Sequence, residues 1–316
     1  MLIVCPNIAI DHTVTLPRLY AGAVQRTGPA ASAAGGKGAN MARAARALGG
    51  DPQVLAFVAA GGGDYLRELF AAEQLPLVGI DVPGAVRTCT VLIEDSGRVT
   101  LLNEPGASVD ERGWQALLSA VDPAATRVIG TGSLPPGAPA DGYARLVELV
   151  HARGGECAVD SGGLPLRLAA QAGADLVCPN LSEAQAVLTG AVDAVEQVDE
   201  RADDIAGRAV EAAQQLVALG AGQAAVTAGA AGVAVAGTGL PAWLPTVPVA
   251  ARNPIGAGDS FLAGTVLARE RGADWIDAVR FGMAVAASSV ENHGSGVVDP
   301  VRVTELEAAL AQAHRG

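Results

Sequence analysis

The sequence predicts an α/β fold, a doubly wound and mostly parallel sheet flanked by helices, spanning residues 1–316 as a single domain. The first observation is order: from Arg127 onward short apolar runs alternate with helical stretches, and a βαβα succession folds into a parallel sheet with right-handed crossovers. The second is the opening run Leu2 to Ile10, apolar until Asp11, as a strand buried on both faces requires. The third is composition. Hydrophobic residues make up 50% of the chain, enough for a generous core, yet every apolar run is broken well short of a membrane span.

Taken in order, Thr13 to Leu19 and Val24 to Ala31 alternate weakly around Pro17 and Gly22, the pattern of edge strands and turns. Gly38 to Leu48 is a short Ala-rich helix. Gln53 to Ala60 is a strand, Gly61 to Gly63 a flexible loop, and Asp64 to Gln74 an amphipathic helix capped by Asp64. Val86 to Ile93 and Val99 to Asn103 are β-rich runs joined by Glu94-Asp95-Ser96-Gly97-Arg98, which predicts a hairpin. A helix over 110–121, a strand over 127–130, a helix over 141–153, a strand over 156–160 ending in Asp160, a short helix near 165–171 and a strand over 174–178 follow. Residues 190–204 are acid-rich and read as a solvated loop and helix approach. A helix over 205–219 and a strand over 223–227 come next. Returning strands at 233–236 and 243–249 lead to the Gly256 stretch and the helix it opens, which 265–271 continues, and helices at 275–290 and 303–313 close the chain.

The net charge of −12, from 33 acidic and 21 basic side chains, opposes binding to nucleic acid or to an anionic membrane. An anionic substrate must therefore meet a local positive site. Cys5, Cys89, Cys157 and Cys178 are scattered without a C-x-x-C pair, and read as reduced core thiols with no zinc site. Met1-Leu2-Ile3-Val4-Cys5 lacks a basic leader segment, so the expected compartment is the cytoplasm.

Two small-residue stretches stand out. Arg252-Asn253-Pro254-Ile255-Gly256-Ala257-Gly258-Asp259 runs straight into a helical pattern, so tight turning at Gly256 and Gly258 would leave the helix's first amides pointing at a ligand. A phosphate suits that position, and Asp259 in the first turn could take a proton from an attacking hydroxyl. The helix N-terminus is expected to keep Asp259 ionised. The same string is equally compatible with a plain turn and an Asp cap. Ala34-Gly35-Gly36-Lys37-Gly38-Ala39-Asn40 also opens a helix, and Lys37 is the only lysine in the chain. Neither stretch is a Walker A loop or a dinucleotide fingerprint.

Together the two stretches resemble the paired signatures of the ribokinase-like (phosphofructokinase-B) carbohydrate kinase family. Further segments extend the resemblance over nearly the whole chain. Asn7-Ile8-Ala9-Ile10-Asp11 is similar to the Asn-Pro-Ala-Leu-Asp opening of the sugar-phosphate kinase branch, and Asn103-Glu104-Pro105-Gly106 resembles a segment of its 1-phosphofructokinases and tagatose-phosphate kinases. Thr131-Gly132-Ser133-Leu134-Pro135-Pro136-Gly137 is similar to Ser-Gly-Ser-Leu-Pro-Pro-Gly. Cys178-Pro179-Asn180-Leu181-Ser182-Glu183 resembles Lys-Pro-Asn-x-x-Glu with Cys178 in place of lysine. Thr227-Ala228-Gly229-Ala230-Ala231-Gly232 looks like the nucleotide loop, with Ala231 where an acidic residue is usual.

The resemblance implies a ribokinase-like kinase domain whose β lid is built from about 12–34 and 86–105, and ATP-dependent transfer to a sugar-phosphate hydroxyl, foremost fructose 1-phosphate to fructose 1,6-bisphosphate. Tagatose 6-phosphate and fructose 6-phosphate are the nearest alternative substrates. An unphosphorylated sugar or nucleoside, and a non-catalytic sugar-phosphate sensor on the same fold, are more distant readings. It assigns Asp259 as base and Gly256, Ala257 and Gly258 as oxyanion-type donors. Asp11, Gly36, Lys37, Asn40, Arg87 and Ser133, with Gly132 beside it, would hold the sugar phosphate. Asn180, Glu183, Thr227, Gly229 and Gly232 would hold the nucleotide, with Glu183 reaching the metal through water. Asn180 and Glu183 also fit a purely structural capping box. The implied cofactors are ATP and Mg2+, with a monovalent cation as an addition, and the implied assembly is a homodimer through the lid.

Overall fold

The computed structural model describes residues 1–190 and 203–314. The first strand is shorter than its apolar run. β1 (Leu2–Val4) ends before Pro6, the chain turns at Asn7, and it re-enters as β2 (Ala9–Leu16) in a different sheet. Pro6-Asn7 marks the break, and reading the run as one strand passes over it because Cys5 and Ile8 on either side are as buried as the strands themselves. β3 (Ala31–Gly35) pairs antiparallel with β2, so strand β2 is internal and not an edge. Next come α1 (Lys37–Ala47), β4 (Gln53–Gly61) and α2 (Gly63–Ala72), whose cap is the left-handed Gly62, with Asp64 inside the first turn.

β5 (Leu77–Ala85) lies at the edge of the large sheet and carries Gly79, Pro83 and Gly84, which hide it from any strand pattern. The expected hairpin is present as β6 (Arg87–Glu94) and β7 (Val99–Asn103). The βα succession then runs α3 (Glu111–Ser119), β8 (Arg127–Thr131), α4 (Gly142–His151), β9 (Glu156–Asp160), α5 (Gly163–Gln171), β10 (Leu176–Val177) and α6 (Leu181–Thr189). Most of the acid-rich segment 190–204 lies outside the described residues. The chain resumes with α7 (Ile205–Leu219), β11 (Gln223–Thr227), β12 (Gly232–Ala236), β13 (Ala242–Pro245), α8 (Ala257–Glu270), α9 (Trp275–Val290) and α10 (Pro300–Ala313).

The large sheet has the order β13-β12-β11-β10-β9-β8-β1-β4-β5 and is parallel from β5 to β11, with β12 and β13 returning antiparallel. Its two faces are legible in β1 itself: Leu2 and Val4 join one core and Ile3 the other. α3 to α7 supply the first core, through residues such as Trp114, Tyr143 and Leu216. α1, α2, α8, α9 and α10 supply the second, through Met41, Phe70, Phe261 and Val285. This is the doubly wound arrangement, with crossovers on both faces. The strand order reverses beside β1, between β4 and β8, and in such sheets the crevice beyond the strands' C-terminal ends at that point takes the ligand. The small sheet, β3-β2-β6-β7, is entered from β1 at that point and again from the edge strand β5.

Candidate active site

Four loops meet at that edge. α8 begins at Gly256, whose φ of 79° is the left-handed conformation glycine adopts without penalty. A Cβ there would also press on Gly296 N, Asn40 Nδ2 and Ser295. One at Gly258 would meet nothing within 4 Å, so the mouth of the helix is open. Asn253 fixes the approach: its Oδ1 accepts from Ile255 N at 3.0 Å and its Nδ2 donates to His293 O at 2.8 Å.

Asp259 is buried in the first turn of α8 and accepts a 2.8 Å hydrogen bond from Asn40 Nδ2. Asn40 is itself oriented by Arg43, one turn along α1, which donates to Asn40 Oδ1 at 3.0 Å and to Ser295 O at 2.6 Å. Burial raises the Asp259 pKa from 3.8 to about 7; Asp160 and Glu183 push the same way, and Lys37 and the Asn40 hydrogen bond oppose. The expectation from the helix dipole is thus reversed. Desolvation of a carboxylate outweighs a partial charge at the helix terminus.

Lys37, at the start of α1, points its Nζ at Asp160, 3.1 Å from each carboxylate oxygen, with Glu183 Oε1 at 3.8 Å. Burial works against its charge, but Asp160, Glu183 and Asp259 outweigh it and hold the ammonium above the usual lysine range. Asp160 is buried at the C-terminal end of β9 and also accepts from Thr131 Oγ1 at 3.3 Å. Glu183 and Asn180 form the capping box of α6, each side chain accepting from the other's amide at 2.8 Å. Glu183 therefore serves the cap with one oxygen and faces Lys37 with the other.

On the small-sheet side, Asp11 sits in β2 opposite Ala33 and lays its carboxylate against the Cβ-free Gly35, where a methyl group would collide with it. Burial raises its pKa to about 6, against Arg43, Arg87 and the Gly36 amide. Arg87 donates Nε and Nη2 to Asn7 O at 3.0 and 2.7 Å, and Nη1 to Glu104 O at 3.3 Å. Ser133 Oγ accepts from Asn7 Nδ2 at 3.0 Å. Thr227, at the end of β11, donates its amide to Pro179 O beside Asn180. Gly229 turns the chain with a φ of 54°, and Gly232 is glycine because a Cβ would strike Leu244 O and the Trp243 ring.

Asp259, Gly256, Ala257, Gly258, Asn40, Lys37 and Glu183 are thus gathered on one cleft. Asp11, Gly36, Arg87 and Ser133 adjoin it from the small-sheet junction, Asn180 and Thr227 meet beside Glu183, and Gly229 and Gly232 follow Thr227 in the turn into β12. Cys178 lies in the second core, its thiol pushed well up by burial and within electrostatic reach of Asp160, Lys37, Glu183 and Asp259, so that position brings the site a neutral buried thiol and no cation. Asp160, Arg43 and Asn253 were not singled out from sequence. Asp160 carried a usable signal, a carboxylate ending a buried parallel strand. Arg43 had only its spacing of three from Asn40.

A buried carboxylate at an open helix N-terminus, beside a lysine and two further carboxylates, is the arrangement of a phosphoryl-transfer enzyme on a doubly wound sheet. The chain belongs to the pfkB family of carbohydrate kinases, whose profile matches residues 3–302. It is 32% identical to a 1-phosphofructokinase of Rhodobacter capsulatus over 305 residues, covering 95% of this chain and 93% of that one. With a 1-phosphofructokinase of Haloferax volcanii it shares 35% identity over 309 residues, at the same coverages. Phosphofructokinase-2 of Escherichia coli, solved in complex with potassium, superposes with a TM-score of 0.87 at 25% identity, covering 98% of this chain and 99% of that one. Among the described residues no helix is long and apolar enough to cross a membrane.

Proposed function

We propose that this protein is an ATP-dependent sugar-phosphate kinase that converts fructose 1-phosphate to fructose 1,6-bisphosphate. The observation that carries the kinase reading is Asp259, a buried carboxylate held by Asn40 at the open mouth of α8, its pKa pushed up by burial. A base whose pKa lies near the working pH is well matched to accept the proton of the attacking hydroxyl. The amides of Gly256, Ala257 and Gly258 would meet the charge on the transferring phosphoryl group. A loose transition state asks little more of the protein than this placement. Asp11, Gly36, Lys37, Asn40, Arg87 and Ser133 would hold the sugar phosphate, the small sheet acting as a lid. Asn180, Thr227, Gly229 and Gly232 would hold the nucleotide.

Mg2+ fits the residues present. Asp160 and Glu183 are hard oxygen donors, and Lys37 Nζ between them marks a spot where positive charge is favoured. Bound with the nucleotide, magnesium would offset charge on the phosphates, Glu183 reaching it through water. Monovalent-cation dependence is proposed on the potassium complex of the E. coli relative.

Fructose 1-phosphate is favoured by the names of the R. capsulatus and H. volcanii relatives, and fructose 6-phosphate, by the E. coli structure, is the second reading. ATP consumption against fructose 1-phosphate, fructose 6-phosphate, tagatose 6-phosphate and unphosphorylated fructose decides among them. Turnover of a neutral sugar ahead of every sugar phosphate would overturn the substrate reading, and no turnover of any sugar or nucleoside would overturn the kinase.

A further inference from the structure

The two sheets are joined where the chain passes between them, and three of those passages meet on Asn7. Asn7 lies in the turn from β1 to β2. Arg87 begins β6, directly after the chain leaves β5 in the large sheet. Glu104, Pro105 and Gly106 carry the chain from β7 back toward α3. Asn7 is buried, and its Nδ2 donates to Pro105 O at 3.1 Å and to Ser133 Oγ at 3.0 Å. Pro105 O can only accept, which fixes the amide nitrogen on that side. The main-chain carbonyl of the same residue accepts both Nε and Nη2 of Arg87. Gly106 has a φ of 91°, and a Cβ there would run into Asn7 Oδ1, so the segment closes on the amide with no room to spare.

From this geometry we infer that Asn7 is a positioning residue for sugar-phosphate binding, a clasp that sets Arg87 of the small sheet and Ser133, in the loop that leaves β8 of the large sheet, at a fixed separation. The inference rests on the proposed roles of Arg87 and Ser133. Its physical basis is pre-organisation. Two groups carried by different sheets can grip one phosphorylated sugar together only if the junction between the sheets is already set, because ordering it at the moment of binding would weaken affinity. The side chain of Asn7 does not need to touch the substrate. It anchors the turn whose carbonyl holds the Arg87 fork, and it holds the Ser133 hydroxyl directly. Both hydrogens of Nδ2 are used in doing so, which a carboxylate of the same shape could not reproduce.

The test uses Asn7→Ala and Asn7→Asp in the full chain, with steady-state kinetics on the sugar phosphate and on ATP. Each variant is expected to raise KM for the sugar phosphate about 10- to 100-fold, while KM for ATP stays within about threefold. In an Arg87→Ala background, Asn7→Ala should add clearly less than it does alone, because one of the two groups it positions is gone and only the hold on Ser133 remains. Equal increases in both KM values, or effects that multiply fully in the double variant, would show a general loss of structure and overturn the role. Should Asn7→Ala fail to fold, Asn7→Ser, which keeps one short donor, replaces it with the same criteria. The Arg87 Nε–H resonance in 15N NMR gives a readout free of substrate. It should be sharp in the wild type and broadened or exchanging in both variants, and an unchanged resonance would overturn the clasp. If that resonance responds but the wild type ignores every sugar phosphate, the substrate reading has failed while the clasp stands.

Discussion

Asp259→Asn should make this protein more stable while removing most of its activity. The wild-type carboxylate is buried, and its pKa stands at about 7 in the folded chain against 3.8 for a free aspartate. Above pH 7 the folded state must therefore hold a charge that its surroundings resist. At 1.36 kcal/mol per pH unit of difference, the penalty is at most about 4 kcal/mol. Rearrangement of Lys37, Asp160 and Glu183 around the new amide reduces it, so we expect a gain of roughly 1–3 kcal/mol at pH 8. Unfolding entropy scales at about 2.1 cal/mol/K per residue, so this corresponds to a rise in Tm of roughly 2–5 °C. The asparagine Oδ1 can still accept from Asn40 Nδ2, so that buried donor keeps its partner, while the new amide N–H groups offset part of the gain.

The sign follows from proton uptake. As pH falls from about 7 to 4 the folded wild type binds a proton that the unfolded chain does not yet bind, which stabilises it relative to its state at pH 8. The advantage of the variant must therefore shrink over that range and vanish below about pH 4. Denaturant melts of both proteins at pH 8, 6 and 4, with kcat measured at pH 8, check every part. The loss in kcat should be about 10²–10⁴-fold. A variant less stable than wild type at pH 8, or an advantage that does not change with pH, would refute the argument from burial. Near-normal turnover would remove Asp259 from the mechanism.

The wild-type kcat/KM should fall about tenfold per pH unit below roughly pH 7 as the free enzyme's Asp259 protonates. Asn40→Ala, which deletes a hydrogen bond that favours the charged form, should move that limb to higher pH. Arg87→Ala should raise KM for the sugar phosphate by about 30-fold or more, on the scale of the 2–5 kcal/mol lost when one partner of a buried charge pair is truncated, with little change for ATP. Pairing through the small sheet, where edge strand β7 exposes Leu101 and Leu102, predicts a dimer in sedimentation that Leu102→Glu dissociates. A wild-type monomer would rule it out.

The parallel half of the fold was legible because buried strands are plain apolar runs: β8, β9 and β11 lie within a residue or so of where the pattern puts them. β5 was not, since its glycines and Pro83 mark a turn locally and only its place at the edge of the large sheet makes it tolerable as a strand. The break between β1 and β2, marked by Pro6-Asn7, was passed over for the opposite reason, Cys5 and Ile8 being buried outside any regular element. At the site, the two glycine stretches announced themselves, but what they do to each other did not. The pKa of Asp259 depends on Asn40, 219 positions away, and Lys37 is held by a carboxylate 123 positions away. A charge balance of that kind is set by tertiary burial, which residue type and spacing do not encode.

The solitary lysine has one more consequence. A protease that cuts only after lysine has a single target in this chain, the Lys37–Gly38 bond. That bond lies in the first turn of α1, with Gly38 so closely packed on Cys5 that even a methyl group would not fit. Cleavage must wait until that turn opens, and it would yield two fragments of very unequal size. The native sequence thus carries its own one-cut reporter, in which the rate of nicking counts openings at the mouth of the cleft and any ligand that closes the mouth slows the clock.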